Sequence, residues 1–198
     1  LVLHGFAGTG KTFISLYLAM KEVLSRETSY EKVIVVRSCV PTRDIGFLPG
    51  TKEEKEMVYE QPYIAIFKEI FNTIPGNGLI EKLKDQKLFE FISTAFIRGI
   101  TINNAVVVVD EYSNLNYHEL SSVITRLGNN CKIIFCGDIF QTDIDKHKEA
   151  HLKDVHKFQQ ILRSIYDFSF VEFNADDIVR SALVKQFIMA EQAYNKSH

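Results

Sequence analysis

Five short apolar runs punctuate the chain: Leu1-Val2-Leu3, Val33-Ile34-Val35-Val36, Ala105-Val106-Val107-Val108-Val109, Lys132-Ile133-Ile134-Phe135 and Phe168-Ser169-Phe170-Val171. Runs of this length, rich in β-branched residues and without polar alternation, suit strands buried on both faces, as in a parallel sheet covered by crossover helices. The segments between them carry helical periodicity, and helices are expected over 11–24, 52–74 with a break at Gln61-Pro62, 116–127, 151–165 and 176–194. The pattern predicts an α/β fold of three layers, with a mainly parallel, doubly wound sheet. Between the second and third runs lie roughly 65 residues, more than one crossover needs. A helical insertion spanning approximately 40–100 is therefore expected, and it is the natural place for partner-specific surfaces.

Length and composition narrow the class. A chain of 198 residues suits one domain covering 1–198. Apolar residues at 46% and charged residues at 24% are ordinary for a globular protein, and the apolar runs are too short to span a bilayer. No membrane role is expected. The net charge of −2 supplies no general attraction for nucleic acid, so any such binding has to come from a local surface. Cys39, Cys131 and Cys136 are odd in number, stand in or beside the apolar runs and form no C-x-x-C pair. Buried reduced thiols and a cytoplasmic location fit that usage better than disulfides or zinc. Residue 1 is not Met and the first strand begins at once, so the segment is expected to be cut from a longer chain.

Candidate chemistry begins directly after the first run. Gly5-Phe6-Ala7-Gly8-Thr9-Gly10-Lys11-Thr12 fits G-x-x-x-x-G-K-[ST] at every constrained position, with a strand before it and a helix after it. Phosphate oxygens need several backbone N–H donors converging at once, which a chain of Gly5, Ala7, Gly8, Thr9 and Gly10 can supply close to the anion. The following helix N-terminus favours negative charge, Lys11 can reach the β and γ oxygens, and the Thr12 hydroxyl can hold Mg²⁺. The blander alternative is a Gly-rich turn with no ligand, which the flanking strand and helix disfavour.

Two further strand ends supply partners. The valine run ends in Asp110-Glu111, where Asp110 can reach the metal held by Thr12 and Glu111 can polarise a water for attack on the γ-phosphate. Capping of the next helix is the alternative for that pair. The next strand ends in Cys136-Gly137-Asp138-Ile139-Phe140-Gln141, which sets Gln141 to sense the γ-phosphate or orient the water. Alone this third element is a turn and a surface amide; in register with the other two it reads as part of one site.

At these residues the chain resembles the PhoH-like ATPases, relatives of the superfamily 1 helicases within the P-loop NTPases. Besides the loop, the resemblance rests on Ile45-Gly46-Phe47-Leu48-Pro49-Gly50 followed by Glu54-Lys55 and Pro62-Tyr63. Further matches are Arg98-Gly99-Ile100-Thr101, Asp110-Glu111, Thr125-Arg126-Leu127-Gly128, Gly137-Asp138 with Gln141 and Asp143, and Asp177-Ile178-Val179-Arg180-Ser181. It covers almost the whole chain, without the nuclease-like PIN domain that some members carry, as in shorter phage-type members. The resemblance implies a RecA-like P-loop NTPase fold, ATP and Mg²⁺ as cofactors, and coupling to single-stranded RNA or DNA. It also implies a homo-oligomeric ring, a hexamer in form. Two departures stand out: Arg37-Ser38 replaces the family's Arg-Pro, and Asp110-Glu111-Tyr112-Ser113-Asn114 replaces D-E-A-Q-N, so Gln141 gains weight as the γ-phosphate amide.

Charge developing on a transferring phosphoryl group calls for a cation beyond Lys11. Arg180, expected near the start of the last helix, matches the family's C-terminal arginine; it acts within its subunit, or on a neighbour's site, or only pairs with Asp176 or Asp177. Arg126 has a weaker case, and Arg37 and Arg98 divide between phosphate, polynucleotide backbone and structural ion pairs. His147 and His151 stand four apart in a basic stretch, where a solvated helix face is the better reading than a metal site. Tyr63, Phe67, Ile70, Phe71 and Ile74 have helical spacing, hence core or subunit interface. Two other functions fit less well: a nucleoside or nucleotide kinase, which a water-activating Glu111 disfavours, and a nucleotide-gated assembly subunit with little turnover.

Overall fold

The computed structural model describes residues 1–25, 27–38, 52–71, 79–138 and 148–197. Six strands, β1 (Val2–Gly5), β2 (Lys32–Arg37), β3 (Phe89–Ser93), β4 (Ala105–Asp110), β5 (Cys131–Gly137) and β6 (Phe170–Phe173), form one sheet in the order β3-β2-β4-β5-β1-β6. Every neighbouring pair is parallel. Parallel neighbours require a crossover each, and the chain supplies helices α1 (Lys11–Ser25), α2 (Lys52–Ile70), α3 (Leu79–Asp85), α4 (Tyr117–Ile124), α5 (Lys148–Arg163) and α6 (Ala182–Ser197).

Alternation along β4 divides the core. Ala105, Val107 and Val109 pack with Leu120 and Val123 of α4 and with Val155, Phe158 and Leu162 of α5. Val106 and Val108 face the other way, onto Leu16 and Met20 of α1, Tyr63 and Phe67 of α2 and Leu83 of α3. All six β4 residues are buried, which is why the run carries no polar alternation. The three-layer α/β expectation holds.

Several boundaries differ from the sequence reading. The insertion is not wholly helical: it contains β3, an edge strand paired only with β2. Its sequence, Phe-Glu-Phe-Ile-Ser, has one β-branched residue, and the exposed Glu90 meets Lys32 at 2.8 Å, so no apolar run marks it. Pro62 does not break α2, which runs through it. The lost hydrogen bond at Pro62 is outweighed by the fully buried Tyr63 and Phe67 on the face that follows. The last helix begins at Ala182, later than expected, because Asn174 caps a single 3₁₀ turn over Ala175–Asp177 and Asp177 accepts back from the Asn174 N–H. In contrast, Asn116 and Glu119 form a full capping box that starts α4 one residue after the expected point.

Cys131 and Cys136 are free thiols, and Cys39 lies outside the described residues. Cys136 is fully buried 2.9 Å from Ser15 Oγ, and burial pushes its pKa well above the usual thiol range. It should therefore stay unlabelled by a thiol reagent at pH 8 until denaturant is added. Rapid labelling of Cys136 in the folded chain, read by peptide mass, would contradict this packing.

Candidate nucleotide site

The carboxyl ends of β1, β2, β4 and β5 open into one cavity of about 760 Å³, a volume that accommodates a nucleotide. Loop residues 7–12 line it together with Asp110, Glu111, Gly137 and Asp138. The parallel register sets this up: β4 pairs β5 through Asp110 and Cys136, and β5 pairs β1 through Gly137 and His4. Gly137-Asp138 consequently stands between the loop and the acid pair.

Gly5 and Gly8 of the loop do different jobs. Gly5 sits at φ +117, and a Cβ there would lie 2.0 Å from the Phe173 carbonyl oxygen of β6. The expectation that it clears space for phosphate therefore changes: the space is taken by the neighbouring strand. Gly8, at φ +70, lies under Arg180, whose Cγ would be 2.9 Å from an added Cβ, while the Val179 N–H donates to the Gly8 carbonyl at 3.0 Å.

Lys11 is buried and folded across its own loop. Its ammonium donates to the Gly5 and Phe6 carbonyls at 3.1 and 2.6 Å and to Thr9 Oγ1 at 3.2 Å, using all three protons. Thr9 Oγ1 in turn donates to the Phe6 carbonyl at 2.9 Å. Burial lowers the Lys11 pKa, opposed by the carboxylates of Asp138 and Glu111. The Lys11 ammonium thus holds the loop closed upon itself.

Thr12 and Asp110, 98 residues apart, meet directly: Thr12 Oγ1 donates to Asp110 Oδ1 at 2.7 Å. The other carboxylate oxygen, Oδ2, accepts from the Tyr63 hydroxyl at 2.8 Å. Burial, then the adjacent Asp110 charge, raises the Tyr63 pKa well above its ordinary value, so the phenol stays a donor. Arg37, at the end of β2, lines the same cavity. Burial opposes its charge, but Tyr63, Asp110 and Glu111 outweigh that and raise its pKa. Arg37 thus shares its cavity with Asp110 and Glu111.

Glu111 follows at φ 51 and ψ 41, a left-handed conformation unusual for a residue with a side chain. That turn lets β4 end and the 3₁₀ turn Tyr112–Asn114 begin within the cavity rim. Gly137 makes room for it: a Cβ there would lie 2.8 Å from the Tyr112 ring, which is itself fixed by Gln159 of α5 through a 2.6 Å hydrogen bond.

The structure brings Lys11, Thr12, Asp110, Glu111 and Arg180 of one chain to one cavity. Arg180 precedes α6, and Asp176 meets Lys185 at 4.0 Å while Asp177 caps Asn174. Gln141, Asp143, His147 and the Ile45–Gly50 motif lie outside the described residues. Arg126 is placed at the far edge: its carbonyl accepts from the Ile102 N–H just before β4 begins, about 15 Å of strand away from Asp110. Tyr63 and Asp138 were missed as site residues. Helical spacing makes Tyr63 a core residue, and only the tertiary contact shows where its hydroxyl goes.

The donors around Thr12 and Asp110 are oxygens, the chemistry a hard divalent cation prefers. Among the described residues no three His, Cys, Asp or Glu side chains converge as a metal cage.

A family model described as "PhoH-like protein" matches residues 1–192. The chain is 34% identical over 194 residues to a PhoH-like protein of Synechocystis sp., covering 98% of this chain and 56% of that one. It is 30% identical over 195 residues to a PhoH-like protein of Bacillus subtilis, with coverages of 98% and 57%. It is 31% identical over 189 residues to Protein PhoH of Escherichia coli, with 94% and 51%. The chain thus spans about half the length of the curated relatives it matches. Among solved structures, Bacteroides Pif1 bound to ssDNA is similar at a TM-score of 0.34 and 14% identity, covering 88% of this chain and 38% of Pif1.

Proposed function

This chain belongs to the PhoH-like protein family, and on that premise we propose that residues 1–198 form one domain that binds ATP with Mg²⁺ and hydrolyses its γ-phosphate. The observation that carries the proposal is the 2.7 Å contact between Thr12 and Asp110, which joins the phosphate loop to the acidic strand end in one cavity.

In this reading the loop amides and Lys11 hold the β- and γ-phosphates, with Lys11 exchanging its contacts to Gly5 and Phe6 for phosphate oxygens. Thr12 and Asp110 hold Mg²⁺, which when bound neutralises charge on the β and γ oxygens. Glu111 accepts a proton from water as its oxygen bonds to the γ-phosphorus and the bond to the β–γ bridging oxygen breaks, leaving ADP and phosphate. Arg180, lying over Gly8, steadies the negative charge on the transferring group, and Gln141 is assigned to sensing it. Phosphate release from purified protein without any added acceptor tests the proposal and separates it from a kinase.

The placement of Arg180 over its own loop favours action within one subunit. Mixing an Arg180→Ala chain with a Lys11→Ala chain should then recover no activity. Recovery would mean that the arginine serves a neighbour's site.

The family resemblance also underlies a proposed coupling to single-stranded RNA or DNA in a ring of subunits. The exposed side chains of Val179 at the cavity and of Leu183 and Phe187 on α6 supply apolar surface that favours subunit packing. No described helix is long and apolar enough to cross a membrane. Native mass measurement reports the assembly. If polynucleotide neither stimulates phosphate release nor binds with salt-dependent affinity, the coupling is wrong.

A further inference from the structure

We propose that Tyr63 is a positioning residue for Asp110, and that through it the inserted helix α2 sets how strongly the site takes a divalent cation. The proposal rests on the reading of Thr12 and Asp110 as the Mg²⁺ pair. A carboxylate that serves a metal must present its lone pairs at a fixed angle, and partners that bind its other lone pairs set that angle. Here Thr12 engages Oδ1 and Tyr63 engages Oδ2, so the plane of the carboxylate is held from two sides.

Tyr63 is suited to hold rather than to react. Its side chain is 1% exposed, and its ring packs against Phe91 of β3 at 5.9 Å between centroids. One turn earlier on α2, the buried Glu60 receives Lys84 of α3 at 2.6 Å, which braces the helix against the rest of the insertion. A displacement of α2 would therefore pull the phenol from Asp110 before it disturbed the loop. A plain packing residue at this position would need no hydroxyl, and the buried hydrogen bond from that hydroxyl to Asp110 is what distinguishes the roles.

Tyr63→Phe keeps the ring and removes only the donor. The measurement is the Mg²⁺ concentration that half-maximally enhances binding of a fluorescent ATP analogue, set beside its affinity in EDTA and the melting temperature. The variant should need about 10- to 100-fold more Mg²⁺, the usual loss when a partner behind a metal ligand is removed, with EDTA affinity within about twofold of the parent. An unchanged Mg²⁺ requirement in folded Tyr63→Phe, beside a parent that responds to Mg²⁺, would overturn this proposal alone. A parent whose nucleotide binding ignores Mg²⁺ would overturn the metal reading beneath it.

Discussion

Replacing Glu111 with Gln is expected to lower the rate of phosphate release by about 10² to 10⁴, the range contributed by a general base, while nucleotide binding survives. Asp110 and Glu111 are adjacent in sequence, yet the structure gives them different environments. Both oxygens of Asp110 accept hydrogen bonds, from Thr12 and from Tyr63, and the residue is buried. Glu111 turns through the left-handed region onto the cavity wall, where its charge is felt by Lys11 and Arg37. These environments support the proposed division of roles, with the metal side assigned to Asp110 and proton acceptance to Glu111. Gln preserves size and removes the basic oxygen, so steady-state release should fall with little change in the fluorescence-detected affinity. A rate within a few-fold of the parent would remove Glu111 from the chemistry.

Gly5→Ala is expected to unfold or strongly destabilise the chain rather than merely weaken nucleotide binding. The added methyl carbon would overlap the Phe173 carbonyl oxygen at 2.0 Å, and the φ of +117 is one that side-chain-bearing residues rarely adopt. The backbone conformation alone costs about 1 to 3 kcal/mol. The overlap is with backbone, so no rotamer change relieves it; β6 has to move off β1, losing the Phe6 N–H bond to Phe173. A total loss of about 3 kcal/mol or more corresponds to a melting temperature lower by roughly 6 to 12 °C for a chain of this length. A variant that melts like the parent but fails to bind nucleotide would show that Gly5 serves the phosphate instead.

What was legible in the sequence followed from burial on both faces. The run Ala105-Val106-Val107-Val108-Val109 is apolar at every position because both helical layers cover it, and its meaning survives in one dimension. The loop was legible because its spacing is dictated by backbone geometry around an anion. β3 was hidden because an edge strand covered on one side can carry Glu90 and lacks a long apolar run. Pro62 misled because a local penalty was set against packing that only the fold reveals. The surroundings of Tyr63, Arg37 and Gly5 were equally hidden, since each is set by a distant segment: Asp110 accepts from Tyr63, the Asp110 charge acts on Arg37, and Phe173 crowds Gly5. Arg180 was recognisable as a candidate, but its seat over Gly8 was set by the uncoiled stretch before α6.

The most direct measurement is equilibrium binding of a fluorescent ATP analogue to the purified chain, in Mg²⁺ and in EDTA, alongside the Lys11→Ala chain. The account predicts saturable binding that tightens with Mg²⁺ and is lost in Lys11→Ala at an unchanged far-ultraviolet circular dichroism spectrum. A folded parent chain that takes up no nucleotide, or a Lys11→Ala chain that binds as the parent does, would contradict it.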